Sequence, residues 1–419
     1  MTDLALEGTL VARTVPLDPA QAPDLLAWAG EDGLVWEHDG AGLAGRGVAM
    51  RIHLPGGFGS PGAVEPVSEA LHAVDTDDRV GRPGCGPVAI GALPFDRNAP
   101  CSMIVPALVV GRARDGSAWV TTIGLPEATV HRAPVDTLHP VAAPSPDGFT
   151  LDSIRSHADW CATVDAAVGE VRAGRLDKVV LAREVVVTAN RAILVSEVLR
   201  RLRAMYPSCM VFSVEGFVGA SPELLVSRRG RVVRSHPLAG TVPRSGDPDT
   251  DERLARGLLG SAKEREEHRV VVEAVEAGLA GVCDRLDVPA APSIVPLRNV
   301  SHLGTSISGT LAAGSTVSAL DLAIRLHPTP AVAGTPTGAA LAYLAAVEGF
   351  DRGRYAGPVG WVDARGDGEF AVGIRCADIE GNRARLIAGV GIVSDSVAES
   401  ELAETQFKLQ ALLAAVVRP

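Results

Sequence analysis

No two cysteines in this chain are spaced as a CxxC pair; the six stand scattered at 85, 101, 161, 209, 283 and 376. Neither a zinc cage nor a disulfide framework is expected from them, and the usage fits a reducing, cytoplasmic compartment. No apolar run approaches the roughly 18 residues of a membrane span. The first ten residues, MTDLALEGTL, lack the basic start and apolar stretch of a signal peptide. Positive charge is short as well: 39 Lys+Arg against 50 Asp+Glu leave a net charge of -11. That argues against an electrostatic grip on nucleic acid or on an anionic membrane. The signatures GxxxxGK[ST], HExxH and GxSxG are missing. Gly219-Ala220-Ser221-Pro222-Glu223 starts like a nucleophile elbow, but it lacks the final Gly and Pro222 would disturb the turn, so no hydrolase triad is indicated.

What is present is apolar material: 47% of the 419 residues are hydrophobic and 21% charged, enough for a sizeable core. Four prolines between 132 and 148 mark a linker or long surface connection. They divide the chain into residues 1–150, an N-terminal part integrated into the same fold, and a region 151–419. Before the break, 48–54, 88–95, 103–110 and 118–123 read as strands between Gly/Pro turns. After it, Trp160, Cys161, Val164, Ala167, Val168 and Val171 recur at helical spacing, in a helix ending near Gly174. Strands are expected at 178–187, 210–214, 217–220, 224–227, 231–235, 358–363, 370–379 and 384–392. Helices are expected at 195–205, 262–286 and 399–417. Runs of strands broken by runs of helices, with short joins that force antiparallel neighbours, give an α+β class.

Carboxylates are the most informative polar residues. Glu264 and Glu267 lie three apart on one expected helix, and Glu401 and Glu404 repeat that spacing on the last, with Lys408 one turn on. Two such pairs could hold a hard cation such as Mg²⁺; they could equally be solvated helix surface. Lys178 sits within an otherwise apolar strand, on the face shared by Leu176 and Val180. There it is either a buried lysine whose pKa is pulled down far enough to serve as a base, or an edge lysine that blocks aggregation. Glu223, after Pro222 at a strand start, is either a general acid or an exposed carboxylate. His327-Pro328-Thr329-Pro330-Ala331 is a rigid segment between helices. Arg375, read as mid-strand, needs a carboxylate partner from the protein or a ligand. Gly389 and Gly391 allow close approach of a backbone.

These residues stand in segments that resemble the chorismate-utilising enzymes, and within them the isochorismate synthases. The segments are LDKVVLARE (176–184), GASPELL (219–225), HPLAGTVPR (236–244), SAKEREEH (261–268) and LHPTPAVAGTP (326–336). GPVGWVD (357–363), IRCADI (374–379), AGVGIVSDS (388–396) and ESELAETQFKL (399–409) follow in order, and GALPFD (91–96) resembles their N-terminal half. The resemblance implies two packed, mainly antiparallel β-sheets flanked by helices, with chorismate as substrate and Mg²⁺ as cofactor. It implies metal ligands at Glu267 and Glu404, with Glu264 and Glu401 acting through water. Lys178 matches the base that activates water and Glu223 the acid that protonates the departing hydroxyl. Arg375 and Lys408, with backbone at Gly240, Thr241 and Gly389, match substrate-binding positions, and His327 and Ala331 are counted with them.

The resemblance also separates reactions. Ammonia-using anthranilate synthases carry a glutamine where Lys178 stands. Aminodeoxychorismate synthases carry a nucleophilic lysine in a PIKGT motif where this chain has Ala239. Salicylate synthases tend to carry a hydroxyl residue where Ala331 stands. The expectation is an isochorismate synthase working as a monomer without a glutaminase subunit, with salicylate synthase as the nearest alternative and an ammonia-using enzyme further off.

Overall fold

A computed structural model describes residues 9–126 and 144–417. Prolines 134 and 140 of the expected linker lie outside the described residues. Two large sheets organise the chain, one of 13 strands and one of 9, with a small sheet of three beside them. The recorded pairings are antiparallel except Val11–Leu17 with Asp75–Asp78. Both large sheets hold strands from before and from after the proline-rich break, each set as one contiguous block, joined to the other by a single pairing. Leu34–His38 pairs with Met210–Val214, and Val88–Ala92 pairs with Pro358–Asp363. No boundary between separate sheets therefore coincides with the break.

The two large sheets pack face to face, as sheets with one apolar face must. Leu43, Phe212 and Ile387 from one and Ile90, Val226 and Phe370 from the other share one core cluster. The outer face of the larger sheet is covered by the helices Leu25–Ala29, Val195–Met205 and Ala398–Val417, with Val35, Val187, Leu199, Val211 and Leu412 in a second cluster. Against the first half of the strand Lys178–Ala189 lie the helices His157–Arg172 and Thr337–Val347; Trp160, Val164, Val179, Leu181 and Leu344 fill that contact. Alternation along this strand thus sends Val179 and Leu181 to the helices and Lys178 and Val180 to the space between the sheets. Among the described residues, no helix is long and apolar enough to cross a membrane.

Three expected elements are corrected, each at a residue that ends it. The strand expected at 103–110 is two, Cys101–Val105 in the smaller large sheet and Leu108–Arg112 in the larger, because Pro106 cannot donate to a ladder. The helix expected at 262–286 ends at Ala280 with Gly281 as its C-cap, and Cys283–Asp287 turns into an edge strand. A separate helix, Pro248–Gly260, precedes it; Ser261 ends that helix and caps the next, its hydroxyl accepting from the Glu264 amide at 3.2 Å. The strand expected at 370–379 is broken into Gly368–Val372 and Cys376–Glu380, which belong to different sheets.

Candidate active site

The chain steps between the two large sheets at Pro222–Glu223 and again at 373–375, and the two steps are bonded to one another. The Val372 amide donates to the Glu223 carbonyl and the Ala220 amide to the Arg375 carbonyl, each at 3.1 Å. A third step, from the strand Val232–His236 to Leu238–Pro243 of the small sheet, runs beside them. A cleft opens at this seam. Lys178, Glu223, Arg375 and the backbone of Gly240, Thr241 and Gly389 line it, together with Ala331 and Val332. Glu264, Glu267, Glu401, Glu404 and Lys408 line it as well. So the carboxylate pairs of two helices far apart in sequence face one space.

Lys178 is buried and donates from Nζ to Oε1 of Glu267 at 2.7 Å. Burial acts to raise the Glu267 carboxyl, but the Lys178 ammonium, with Lys408 and Lys263 behind it, outweighs burial and holds it below the ordinary value. Gly391 makes room for this pair: a Cβ there would sit 2.7 Å from Lys178 Cε and 3.2 Å from Glu267 Oε1. Lys408 bonds Glu404 at 2.6 Å and donates to the Gly389 carbonyl at 3.0 Å. Burial first, then neighbouring carboxylates, raise Glu264 and Glu401, against the pull of Lys263 on both.

Glu223 is 3% exposed. Burial pushes its carboxyl up to about 7, against the Leu238 amide and the charges of Lys178 and Arg375, which pull it down. At that value it is able to hold a proton near neutral pH and deliver it. Lys178 and Glu223 feel each other's charge across the same space, a base candidate and an acid candidate on one cleft.

Arg375 does not sit in mid-strand. It occupies the step between sheets with φ of 53°, a left-handed conformation that is strained for a side-chain-bearing residue. Its guanidinium lies 3.5 Å from Nε2 of His302. Sequence reasoning passed over His302, in the small-sheet strand Val300–Gly304; the alternation of Val300, His302 and Gly304 was the available signal. The ring's Nδ1 lies 3.1 Å from the Gly240 carbonyl and 3.0 Å from the Thr241 hydroxyl. A carbonyl only accepts, so Nδ1 carries the proton and Nε2 offers its lone pair to Arg375. Burial first, then Arg375 and Lys408, push His302 down to about 3, so the ring is neutral. Tyr355 and Lys263 also line the cleft.

His327 is corrected: it does not line the cleft. It is buried between Phe58 and Phe95, with ring centroids 5.7 and 5.8 Å away, and Nε2 donates to the Phe95 carbonyl at 2.9 Å. The rigid segment turns its histidine into the core and presents Ala331 to the cleft instead.

Two facts bear on whether the carboxylates fit a cation. Among the described residues, no three metal-ligating side chains converge as a ready-made cage, and Lys178 and Lys408 are paired with two of the four carboxylates. Yet Glu401 is buried and Glu264 half-buried, and both carboxyls are raised by that burial and then by their acidic neighbours. An all-oxygen, net-negative set of this kind suits a hard divalent ion that keeps waters.

Comparison with known proteins places the chain. The family model described as chorismate binding enzyme matches residues 10–417. The isochorismate synthase DhbC of Bacillus subtilis is 38% identical over 341 residues, covering 79% of this chain and 81% of that protein. The isochorismate synthase EntC of Escherichia coli is 36% identical over 335 residues, covering 78% and 80%. The solved structure of MenF, the menaquinone-specific isochorismate synthase from Escherichia coli, superposes with a TM-score of 0.81 at 25% identity, covering 98% of this chain and 95% of that one.

Proposed function

The chain belongs to the chorismate-binding enzymes, and from that premise we propose that the cleft at the sheet seam converts chorismate to isochorismate. The protein is an isomerase, an isochorismate synthase. Water adds at C2 of the ring as the hydroxyl at C4 leaves across the diene, so one water enters and one departs. Lys178, acting as the neutral amine, takes the proton from the attacking water, and protonated Glu223 gives its proton to the departing hydroxyl. The observation that carries this assignment is Glu223, buried, pushed up to about 7 and sharing the cleft with Lys178.

The substrate brings two carboxylates. Arg375, held by His302, meets one of them with a planar fork. Glu267 and Glu404, with Glu264 and Glu401 through water, would hold Mg²⁺, which when bound would supply positive charge to anchor the ring carboxylate. Lys178 and Lys408, which occupy Glu267 and Glu404 here, would then turn from those carboxylates toward the reacting centre. Ala239 lines the cleft where a nucleophilic lysine would be needed for amination, which favours water. The protein works without a glutaminase partner and as a monomer.

The test is incubation of purified protein with chorismate, with and without Mg²⁺ and with and without ammonium, followed by chromatographic product analysis. Isochorismate formed independently of ammonium supports the reading. An aminated product that requires ammonium overturns it.

A further inference from the structure

The strand Lys178–Ala189 has a gap along one of its edges, directly behind the cleft. On that edge Gly334–Thr335 pairs with Lys178 and Val179, and Phe149–Ser153 pairs with 185–189. The last backbone bond from the first partner is the Val180 amide to the Ala333 carbonyl at 2.9 Å. Beyond it the chain turns away as Val332 and Ala331, the cleft wall. Two buried side chains fill the gap. Arg352 donates to the Val180 carbonyl at 2.6 Å and to the Val332 carbonyl at 2.8 Å. Glu348 accepts from the Ala182 amide at 2.8 Å and pairs with Arg352 through both carboxylate oxygens. Phe95 closes the site, its ring centroid 4.3 Å from the guanidinium.

We propose that the Arg352–Glu348 pair is a positioning element for the reaction, setting the separation between the strand that carries Lys178 and the wall at Ala331–Val332. Neither residue lines the cleft; both act through backbone that does. A buried ion pair is a poor device for stability alone, because well-packed apolar residues often do as well. Its value here is geometric. A planar fork spans the Val180 and Val332 carbonyls, one on each cleft wall, and so carries the link between the walls past the Val180–Ala333 bond at which ordinary strand pairing ends. A lysine in place of Arg352 keeps the charge but cannot reach both carbonyls and the carboxylate at once. With the spacing loosened, the bound ring drifts from Lys178, and the room beside Ala331 ceases to be fixed. Reaction at C2 slows, and bound isochorismate gains freedom to fold into the pose that expels pyruvate.

This inference rests on the proposed isochorismate synthase activity, so wild type is assayed first. Arg352→Lys and the milder Glu348→Gln are then compared with it for kcat, KM and the ratio of pyruvate to isochorismate above the non-enzymatic background. The ratio does not depend on how much of a variant is folded, so it separates positioning from stability. In both variants kcat is expected to fall on the order of 10- to 100-fold, the cost of misplacing reactants by a fraction of an ångström to an ångström. KM should change far less and the ratio should rise. A wild-type ratio with kcat within about twofold in Glu348→Gln, or a loss confined to KM in either variant, overturns the inference. Wild type that leaves chorismate unchanged overturns the functional reading itself, and this inference with it.

Discussion

Nζ of Lys178 lies 2.7 Å from Oε1 of Glu267, joining the candidate base on a strand to a candidate metal ligand on a helix 89 residues away. Each buried charge is the other's partner, and a cation bound at Glu267 would compete with the ammonium for the same oxygens. Mg²⁺ is therefore expected to raise Tm of the wild type in a concentration-dependent way, since a ligand of the native state alone stabilises it. Glu267→Gln should abolish that shift. It should also cut turnover on the order of 10²-fold or more, because anchoring charge at such a site is worth several kcal/mol. Full turnover in excess chelator, or a normal Mg²⁺ shift in Glu267→Gln, would show that the ion, if used, binds elsewhere.

Glu223 leads to a pH prediction with a definite sign. Its carboxyl is raised by burial from 4.5 to about 7. Between those values the native state binds a proton that the unfolded chain has released, so this residue's contribution to stability declines as pH rises through that window. Glu223→Gln removes the titration. The variant's Tm should gain on wild type between pH 5 and pH 8, while its kcat falls roughly 10²-fold, the scale of a general acid. Wild-type turnover should fall as pH rises past the point where Glu223 ionises. A variant that keeps kcat and loses only affinity for chorismate would make Glu223 a binding group.

Gly391 is a point of close approach to the side chain of Lys178, the candidate base. Gly391→Ala places a methyl group 2.7 Å from Lys178 Cε, so the lysine must move. Far-ultraviolet circular dichroism should be unchanged, and kcat should fall on the order of tenfold or more. Wild-type kcat in this variant would mean that the position of Lys178 tolerates displacement and that the base assignment is wrong.

His302 lies against Arg375, the arginine proposed to bind a substrate carboxylate, 3.5 Å from its guanidinium. His302→Leu leaves the Gly240 carbonyl and the Arg375 guanidinium without their shared partner. KM for chorismate is expected to rise by roughly tenfold, the worth of a charge-assisted hydrogen bond, with kcat less affected. A large loss of kcat at constant KM would place His302 in the chemistry instead.

The residues that the sequence made legible are those whose local setting was already anomalous. A lysine within Val and Leu, and two carboxylate pairs at helical spacing, stand out without any tertiary knowledge. What stayed hidden was set by where the chain changes sheets. Arg375 reads as mid-strand because it is flanked by apolar residues over 370–377, and nothing local shows that the two halves of the stretch pair with different partners. His302 lies in a strand of five residues, Val300–Gly304, whose alternation is a signal too brief to mark the histidine as facing a cleft. His327 misled for the opposite reason: two prolines make its segment conspicuous, yet rigidity there serves to aim Ala331, and the imidazole is spent on the Phe95 carbonyl. Arg352 and Glu348, four apart near a helix end, look like an ordinary surface pair; only the missing strand partner beside Val180 gives them work.

The wall at Ala331 and Val332 decides the last expectation, which concerns what happens after isochorismate forms. Release of pyruvate breaks the bond between ring carbon and enolpyruvyl oxygen while the hydrogen on the hydroxyl-bearing carbon passes to the side-chain methylene, leaving salicylate. No oxidant is needed, only a folded pose in which those atoms approach closely. Ala331 and Val332 present small apolar groups to the cleft and offer no hydroxyl to hold that pose. Thr329, two residues earlier, is buried and does not line it. Pyruvate and salicylate should therefore stay near the non-enzymatic background at neutral pH while chorismate is consumed. A coupled pyruvate assay decides the matter. Pyruvate formed in step with chorismate loss would make the protein a salicylate synthase, and would mean that the fold of the bound side chain is controlled from elsewhere in the cleft than residue 331.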